Sequence, residues 1–491
     1  MEHFISGFEI VLQWQYIGYM FAGVAFGLIL GFLPGLQGGI GIALMLPFSY
    51  EMDPLTALVF LLSIYTGGIF GGGVTAILFN TPGSAANIAT TFDGYPMSRN
   101  GEPERALGLA LMSSFVGGIL GCTCLLLLAQ PMARFALRFG PGEMFMVMVF
   151  GLSVVGSLSG DMLKSLFTGV IGILLGTIGT SATGVVRGTW DIVYLRDGIP
   201  LVPAFLGFLA LPEIYEQIAF PMRFSGRNAR IDVRRFVRGM FETFRYWIRA
   251  CVCSIAGVVV GIIPAAGAAI AGLLCYNQSK QFSRRPERYG TGIPEGIVCC
   301  ETANNASEGG SLATMYVLGI PGSGATAILL GALILQGWTP GPKLFFQYGE
   351  ILYASISSLF IQQFVMFLLG AGLCLLGSRI VRLPFLYLMP CIIIFMVLGA
   401  YSTRYMLFDP ALMFLFSALG MLMKKSDYPV PALILGLMLG SITDIELTRV
   451  MQSYDSFWEV FRSPIVCVLA FAVIGSFVVP TILRKIKTSS K

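Results

Sequence analysis

VLGIPGSGATAILLGAL, residues 317–333, is the stretch on which the fold turns. Nearly all of it could lie in lipid, yet Ile320-Pro321-Gly322-Ser323-Gly324 interrupts it. Proline removes a backbone donor and glycine loosens the helix around it. In a hydrocarbon layer such a break is tolerated only where protein buries it or water reaches it. The run therefore reads as a helix broken inside a membrane protein, at a place where something polar is met.

The rest of the chain supports the membrane reading. Its 491 residues are 56% hydrophobic and 12% charged, with mean hydropathy +0.80. A soluble chain would carry roughly a quarter charged residues. Apolar stretches recur from end to end, enough for an all-α polytopic membrane protein with about 11–12 transmembrane helices plus re-entrant hairpins. The start, MEHFISGFEI, is acidic and lacks a small-residue cleavage site, so it does not read as a removable signal peptide.

Enzymatic chemistry is not expected. His3 is the sole histidine, and the ten cysteines show no zinc-ligand spacing. No phosphate-binding Gly-x-x-x-x-Gly-Lys-Ser/Thr loop occurs. No cofactor, resident metal or nucleic-acid partner is expected.

The break has a counterpart. GFLPGLQGGIGIAL (31–44) matches GIIPAAGAAIAGLL (261–274), pairing Pro34 with Pro264. NTPGSAA (80–86) matches GIPGSGA (319–325), pairing Pro82 with Pro321 at an offset of 239 residues. Two pairs in the same order mark a duplication. Candidate crossings at 54–80, 106–129, 143–160, 164–180 and 199–218 separate the copies. An odd number of crossings inverts the second copy, and inverted repeats with broken helices are a signature of secondary transporters.

The expected domains are a first membrane repeat at 1–221, a basic interfacial segment at 222–249, a second repeat at 250–483 and a cytoplasmic tail at 484–491. Charge supports this sidedness. Arg223, Arg227, Arg230 and Arg234 precede the second copy, and Lys280, Arg284, Arg285 and Arg288 follow its Pro264 segment. Both flanks then lie inside, making 250–276 a re-entrant hairpin that turns at Pro264 and Gly267. A mirrored hairpin turns at Pro34 and Gly35 from the outside, with an ordinary span over 11–33 as the alternative. Arg134 and Arg138 fall outside, against the rule. Val233, Phe236, Val237, Met240, Phe241, Phe244, Trp247 and Ile248 recur at helical spacing, as in a helix lying on the lipid bilayer.

Matched breaks point to the binding site. After each Pro-Gly-Ser a helix resumes, and its freed amides suit a carboxylate or phosphate. The expected substrate-binding residues are Asn80, Pro82, Gly83, Ser84 and Asn87 in one copy and Pro321, Gly322, Ser323 and Thr326 in the other. Cation-binding or gating residues are expected among Asp93, Glu301, Asn304 and Asn305. Ionisable groups in a span are costly and usually functional, although Asp93 also suits a turn.

DGYPMSRNGEPERALGLA (93–110), YNQSKQFSRRPERYGTGIPEG (276–296), ETANNASEGG (301–310) and LGIPGSGATAILLGALILQGWTPGPKLF (318–345) carry a resemblance. Through them nearly the whole chain resembles the large membrane subunit of the tripartite tricarboxylate transporter family. The resemblance implies a bacterial inner-membrane, secondary-active importer of citrate or related carboxylates, coupled to sodium or protons. It also implies a small four-span membrane subunit and a periplasmic solute-binding protein as partners, with Na+ one of the two candidate co-transported ions. The chain departs from the family's pattern at Ala265, at Met315-Tyr316 and at Glu308. A stand-alone cation-coupled anion channel or antiporter without a binding protein is the alternative.

Overall fold

Apolar chain in lipid must satisfy its own amides, and helices do so within one segment. The computed structural model describes residues 2–33, 38–158, 162–181, 183–219, 232–264, 267–338, 340–341, 344–380 and 385–475, and these are almost entirely helical.

The first half comprises α1 (Glu2–Val11), α2 (Trp14–Phe32), α3 (Gly38–Ser49), α4 (Pro54–Phe79), α5 (Ile88–Arg99), α6 (Pro103–Ala136), α7 (Pro141–Leu158) and α8 (Met162–Gly176). A two-stranded hairpin, β1 (Gly179–Thr180) and β2 (Val186–Arg187), precedes α9 (Leu201–Phe205) and α10 (Leu211–Ala219), which a π-helical turn joins. The second half comprises α11 (Val233–Glu242), α12 (Trp247–Ile262), α13 (Gly267–Gln281), α14 (Pro294–Leu318), α15 (Gly324–Leu335), α16 (Leu344–Gln347), α17 (Gly349–Ile380), α18 (Phe385–Ser402), α19 (Phe408–Lys425) and α20 (Val430–Ser453).

Among the described residues, six helical stretches are long and apolar enough to cross a membrane: Trp14–Phe32, Pro54–Phe79, Pro103–Ala136, Val233–Ile262, Gly349–Leu376 and Val430–Ser453. Six shorter apolar helices accompany them. The protein is an all-α, multi-pass membrane protein.

Packing register exposes the duplication. Gly27 packs on Ile64 and Gly31 on Gly68, as Gly257 packs on Ala303 and Gly261 on Ser307. Residue numbers rise together in both cases, so α2 runs parallel to α4 and α12 to α14. In the first copy Gly38 meets Gly68 and Gly41 meets Ile64, so α3 returns antiparallel along the half of α4 that α2 descended. The α2–α3 pair is thus a hairpin whose tip reaches the middle of α4. Its turn at Pro34 and Gly35, like Ala265 and Ala266 of the second hairpin, lies outside the described residues. Arg223, Arg227, Arg230 and the 484–491 tail lie outside them as well.

The two copies face opposite ways. Thr66 of α4 bonds Glu308 of α14, while Gly73 faces Glu301, so these counterpart helices are antiparallel. Gly118 of α6 meets Gln363 of α17, and Leu111 meets Gly370, which makes that pair antiparallel too. Phe115 packs between Phe364 and Phe367 in the same register.

Within the segment expected at the interface, α11 packs one face against α6. In α11, Phe236 and Gly239 are buried, with Gly239 against Arg105 and Gly108 against Phe236 and Met240. The Arg105 guanidinium grips Glu242 through Nε and Nη2, at 2.7 and 2.6 Å. Val233, Val237, Phe241, Phe244, Trp247 and Ile248 remain exposed, a face suited to acyl chains.

Candidate functional site

The Pro-Gly-Ser stretches are refined from in-line breaks to returns. Asn80 ends α4 in the left-handed region (φ 56°), and Gly319 ends α14 likewise (φ 69°). Such caps close a helix by satisfying its last carbonyls. Pro82 and Pro321 then forbid renewed helix, and the chain runs back beside the helix it has just left. Gly83 N–H donates to the Gly72 carbonyl at 3.2 Å, eleven residues upstream. α5 next descends parallel to α4, with Asn87 beside Ile69 and Gly94 beside Ile77.

Both tips share one backbone. Ser84 lies at φ −147°, ψ 168° and Ser323 at φ −149°, ψ 167°. Gly83 is wedged between Gly31 and Gly72, and Gly322 between Gly261 and Ser311, at equivalent positions of each copy. A β-carbon at either glycine would strike backbone, so the tips approach the long helices closely only because these residues have none.

The tips and the hairpins border one cavity of about 490 Å³. Four helix starts converge on it: Gly38–Gly39 of α3, Gly267–Ala268 of α13, Gly324–Ala325 of α15, and Ala85–Ala86 of the 3-10 turn (Ala85–Asn87) that leads into α5. Each start presents backbone N–H groups and roughly half a positive charge. Ser323 closes a capping box with Thr326, whose N–H donates to Ser323 Oγ at 3.2 Å while Ser323 N–H donates to Thr326 Oγ1 at 2.8 Å. Ser84 Oγ instead donates to Asn87 Oδ1 at 2.9 Å. Beyond the tips the walls are Phe208, Pro212, Gly420 and Ile434, and the mouth carries Glu213, Lys424 and Tyr428. Lys424 is held by Glu213 (3.0 Å) and by Glu216.

Of the residues expected from sequence, Ser84, Pro321, Ser323 and Gly267 line this cavity. Asn87 and Thr326 are buried directly behind it, and Pro82, Gly83 and Gly322 shape the returns. Asn80 caps α4, away from the lining, and Pro264 is buried in its turn. Asn304 is 1% exposed with neither amide atom bonded, whereas Asn305 Nδ2 donates to the Glu301 carbonyl at 3.0 Å.

Glu301 and Asp93 sit in different settings. Glu301 accepts from Thr90 Oγ1 at 2.5 Å and from Ser114 Oγ at 2.8 Å, tying α14 to α5 and α6. Asp93 leaves the cavity altogether. Its Oδ1 accepts from the backbone of Gly290, Gly292 and Ile293, and its Oδ2 from the Tyr276 hydroxyl.

Sequence reasoning missed Tyr65, which lines the cavity with its hydroxyl 3.4 Å from Ser323 Oγ. The repeat offset held the signal, because Tyr65 occupies in α4 the position of Asn304 in α14. The Glu213–Lys424 mouth had no comparable mark.

The model of the family described as "Tripartite tricarboxylate transporter TctA family" matches residues 17–435. A 52.8 kDa protein of Agrobacterium vitis, described as uncharacterized and in the TAR-I ttuC' 3' region, is 34% identical over 450 residues, covering 91% of this chain and 89% of that one. A second A. vitis protein, from the TAR-II ttuC' 3' region, is 33% identical over 196 residues, covering 40% of this chain and 81% of its own. No solved structure matches the chain.

Proposed function

The chain belongs to the tripartite tricarboxylate transporter TctA family, and from that premise we propose that it imports citrate or a related di- or tricarboxylate. In this reading it is the large membrane subunit of a binding-protein-dependent secondary transporter in a bacterial inner membrane. A periplasmic solute-binding protein delivers the substrate, a small four-span subunit completes the complex, and a Na+ or H+ gradient drives uptake.

The observation that carries the reading is the convergence of four helix starts on one cavity. A multiply charged carboxylate needs several donors, and amide groups supply them without the fixed charge of an arginine. About 490 Å³ suits a molecule of citrate's size. Lys424, the cation at the mouth, is already engaged by two acids and does not serve as a clamp.

The mechanism follows from the inverted packing. Lys424, the exposed end of the cavity lining, belongs to the side to which charge assigns the cytoplasm, so in this reading the conformation faces inward. Exchanging the roles of the two antiparallel copies closes that mouth and opens its mirror image. Each tip and hairpin moves with its long helix, because Gly83 and Gly322 bind them through backbone contact.

The test is uptake into proteoliposomes containing both membrane subunits, with a carboxylate panel, with and without the cognate binding protein and a sodium gradient. Citrate-class uptake that requires the binding protein is expected. Ser323→Ala should raise KM at least tenfold while the protein still reaches the membrane. Undiminished transport without any binding protein would favour the stand-alone channel or antiporter. Unchanged KM in Ser323→Ala would remove the tips from the site.

A further inference from the structure

We propose that Glu308, with Thr66, Gln362 and Gln363, forms a buried site for a single small monovalent cation, for which Na+ is the probe. Deepening the transporter reading, this assigns a cation position to residues outside the expected Asp93, Glu301, Asn304 and Asn305.

The two acids of α14 make the contrast. Both carboxylate oxygens of Glu301 receive a hydroxyl hydrogen. Glu308 is 2% exposed, its Oε1 accepts from Thr66 Oγ1 at 2.8 Å, and its Oε2 has no partner. No ion pair reaches it among the described residues. A carboxylate in such a place needs compensation.

The groups around it carry oxygens that a small cation could share. Gln362 Oε1 lies 3.4 Å from Thr66 Oγ1, but that hydroxyl has one hydrogen, already given to Glu308. The Gln362 amide nitrogen is spent on the Val59 carbonyl and Ser358, which fixes the oxygen toward Thr66. Gln363 is fully buried with its amide close enough to the Glu308 carboxylate to favour its charged form, although neither amide atom meets strict hydrogen-bond geometry. Its place depends on Gly118, where a β-carbon would overlap the amide. One carboxylate, two carboxamides and a hydroxyl form a hard, oxygen-only donor set carrying a single negative charge. That set matches a monovalent cation better than a divalent or soft one.

Its position couples it to the substrate. Tyr65, the residue before Thr66, reaches Ser323 at the tip of the second repeat. A bare carboxylate behind that tyrosine repels an arriving carboxylate, and an occupied one does not.

The experiment measures radiolabelled sodium bound by the full chain in lipid nanodiscs, with citrate uptake by the same preparation in proteoliposomes containing its partners. One saturable site per chain is expected. Glu308→Gln should weaken it at least tenfold and Thr66→Val at least threefold, whereas Glu301→Gln should retain it. Absence of saturable sodium binding overturns the site, as does wild-type binding by both Glu308→Gln and Thr66→Val. Sodium binding that follows Glu308 while no carboxylate is transported would leave the cation site standing and remove the substrate reading. Carboxylate uptake without sodium binding would do the reverse.

Discussion

Asp93→Asn keeps the shape of the side chain and removes its charge. Four hydrogen bonds end on this carboxylate: Gly290, Gly292 and Ile293 donate backbone N–H at 2.9, 2.8 and 3.1 Å, and Tyr276 donates its hydroxyl at 2.9 Å. A bond to a charged acceptor contributes about 1.5–3 kcal/mol, against about 0.5–1.5 for a neutral one. Losing roughly 1 kcal/mol at each of the three amides gives about 3 kcal/mol for Asp93→Asn, since Tyr276 can turn to accept from the new NH2 group. That raises the opened population of the 283–293 loop roughly a hundredfold. Asp93→Ala, which strands the three amides, should cost more, about 5 kcal/mol. The loop contains Arg284, Arg285 and Arg288, so trypsin added to its side of membrane vesicles reports the opening. Cleavage should accelerate in the order wild type, Asn, Ala, with sodium-dependent uptake retained in Asp93→Asn. Unchanged cleavage in both variants, with sodium dependence lost, would refute the latch and return Asp93 to a cation role.

Gly322→Ala should abolish transport and lower stability by about 1–3 kcal/mol in detergent melts, because the added carbon meets the Gly261 carbonyl and, at 2.7 Å, Ser311 Cα. Gly18→Ala, with nothing within 4 Å, is the neutral control. Asp409 is fully buried and gripped by Arg404, which also donates to the Tyr194 carbonyl at 3.0 Å. Asp409→Ala should therefore cost about 3–5 kcal/mol, read as reduced folded yield after membrane extraction. Cysteines introduced at 234 and 284 should be labelled from the same face of the membrane; labelling from opposite faces would overturn the hairpin of α12 and α13.

The duplicated prolines made the hairpins, the helix breaks and their inversion legible in the sequence, but not the returns. Pro34, Pro82, Pro264 and Pro321 are local signals, since a proline cannot hide in a helix without consequence. Their meaning was not local. Whether the chain continues past Pro82 or doubles back depends on Gly72 accepting Gly83 against it, and that pairing leaves no mark in a window around either residue. The same limit applies to side chains. Asp93, Glu301 and Glu308 are all acids in apolar surroundings, but their settings differ through partners 187 to 242 residues away. Tyr65 could have been found through the repeat offset, because duplication preserves position even when it does not preserve residue type.

The copies share a backbone, but their long helices do not share chemistry. Where α14 carries Glu301, Asn304, Asn305 and Glu308, α4 carries Leu62, Tyr65, Thr66 and Ile69. A carrier built from two identical halves would spend equal time open to either side. Of the two long helices only α14 holds acids at these positions, so on the proposed alternating mechanism the two resting orientations should differ in energy, and each 1.4 kcal/mol of difference skews their populations about tenfold. The empty protein should wait on one side of the membrane by default, a directional bias written into the divergence between its halves.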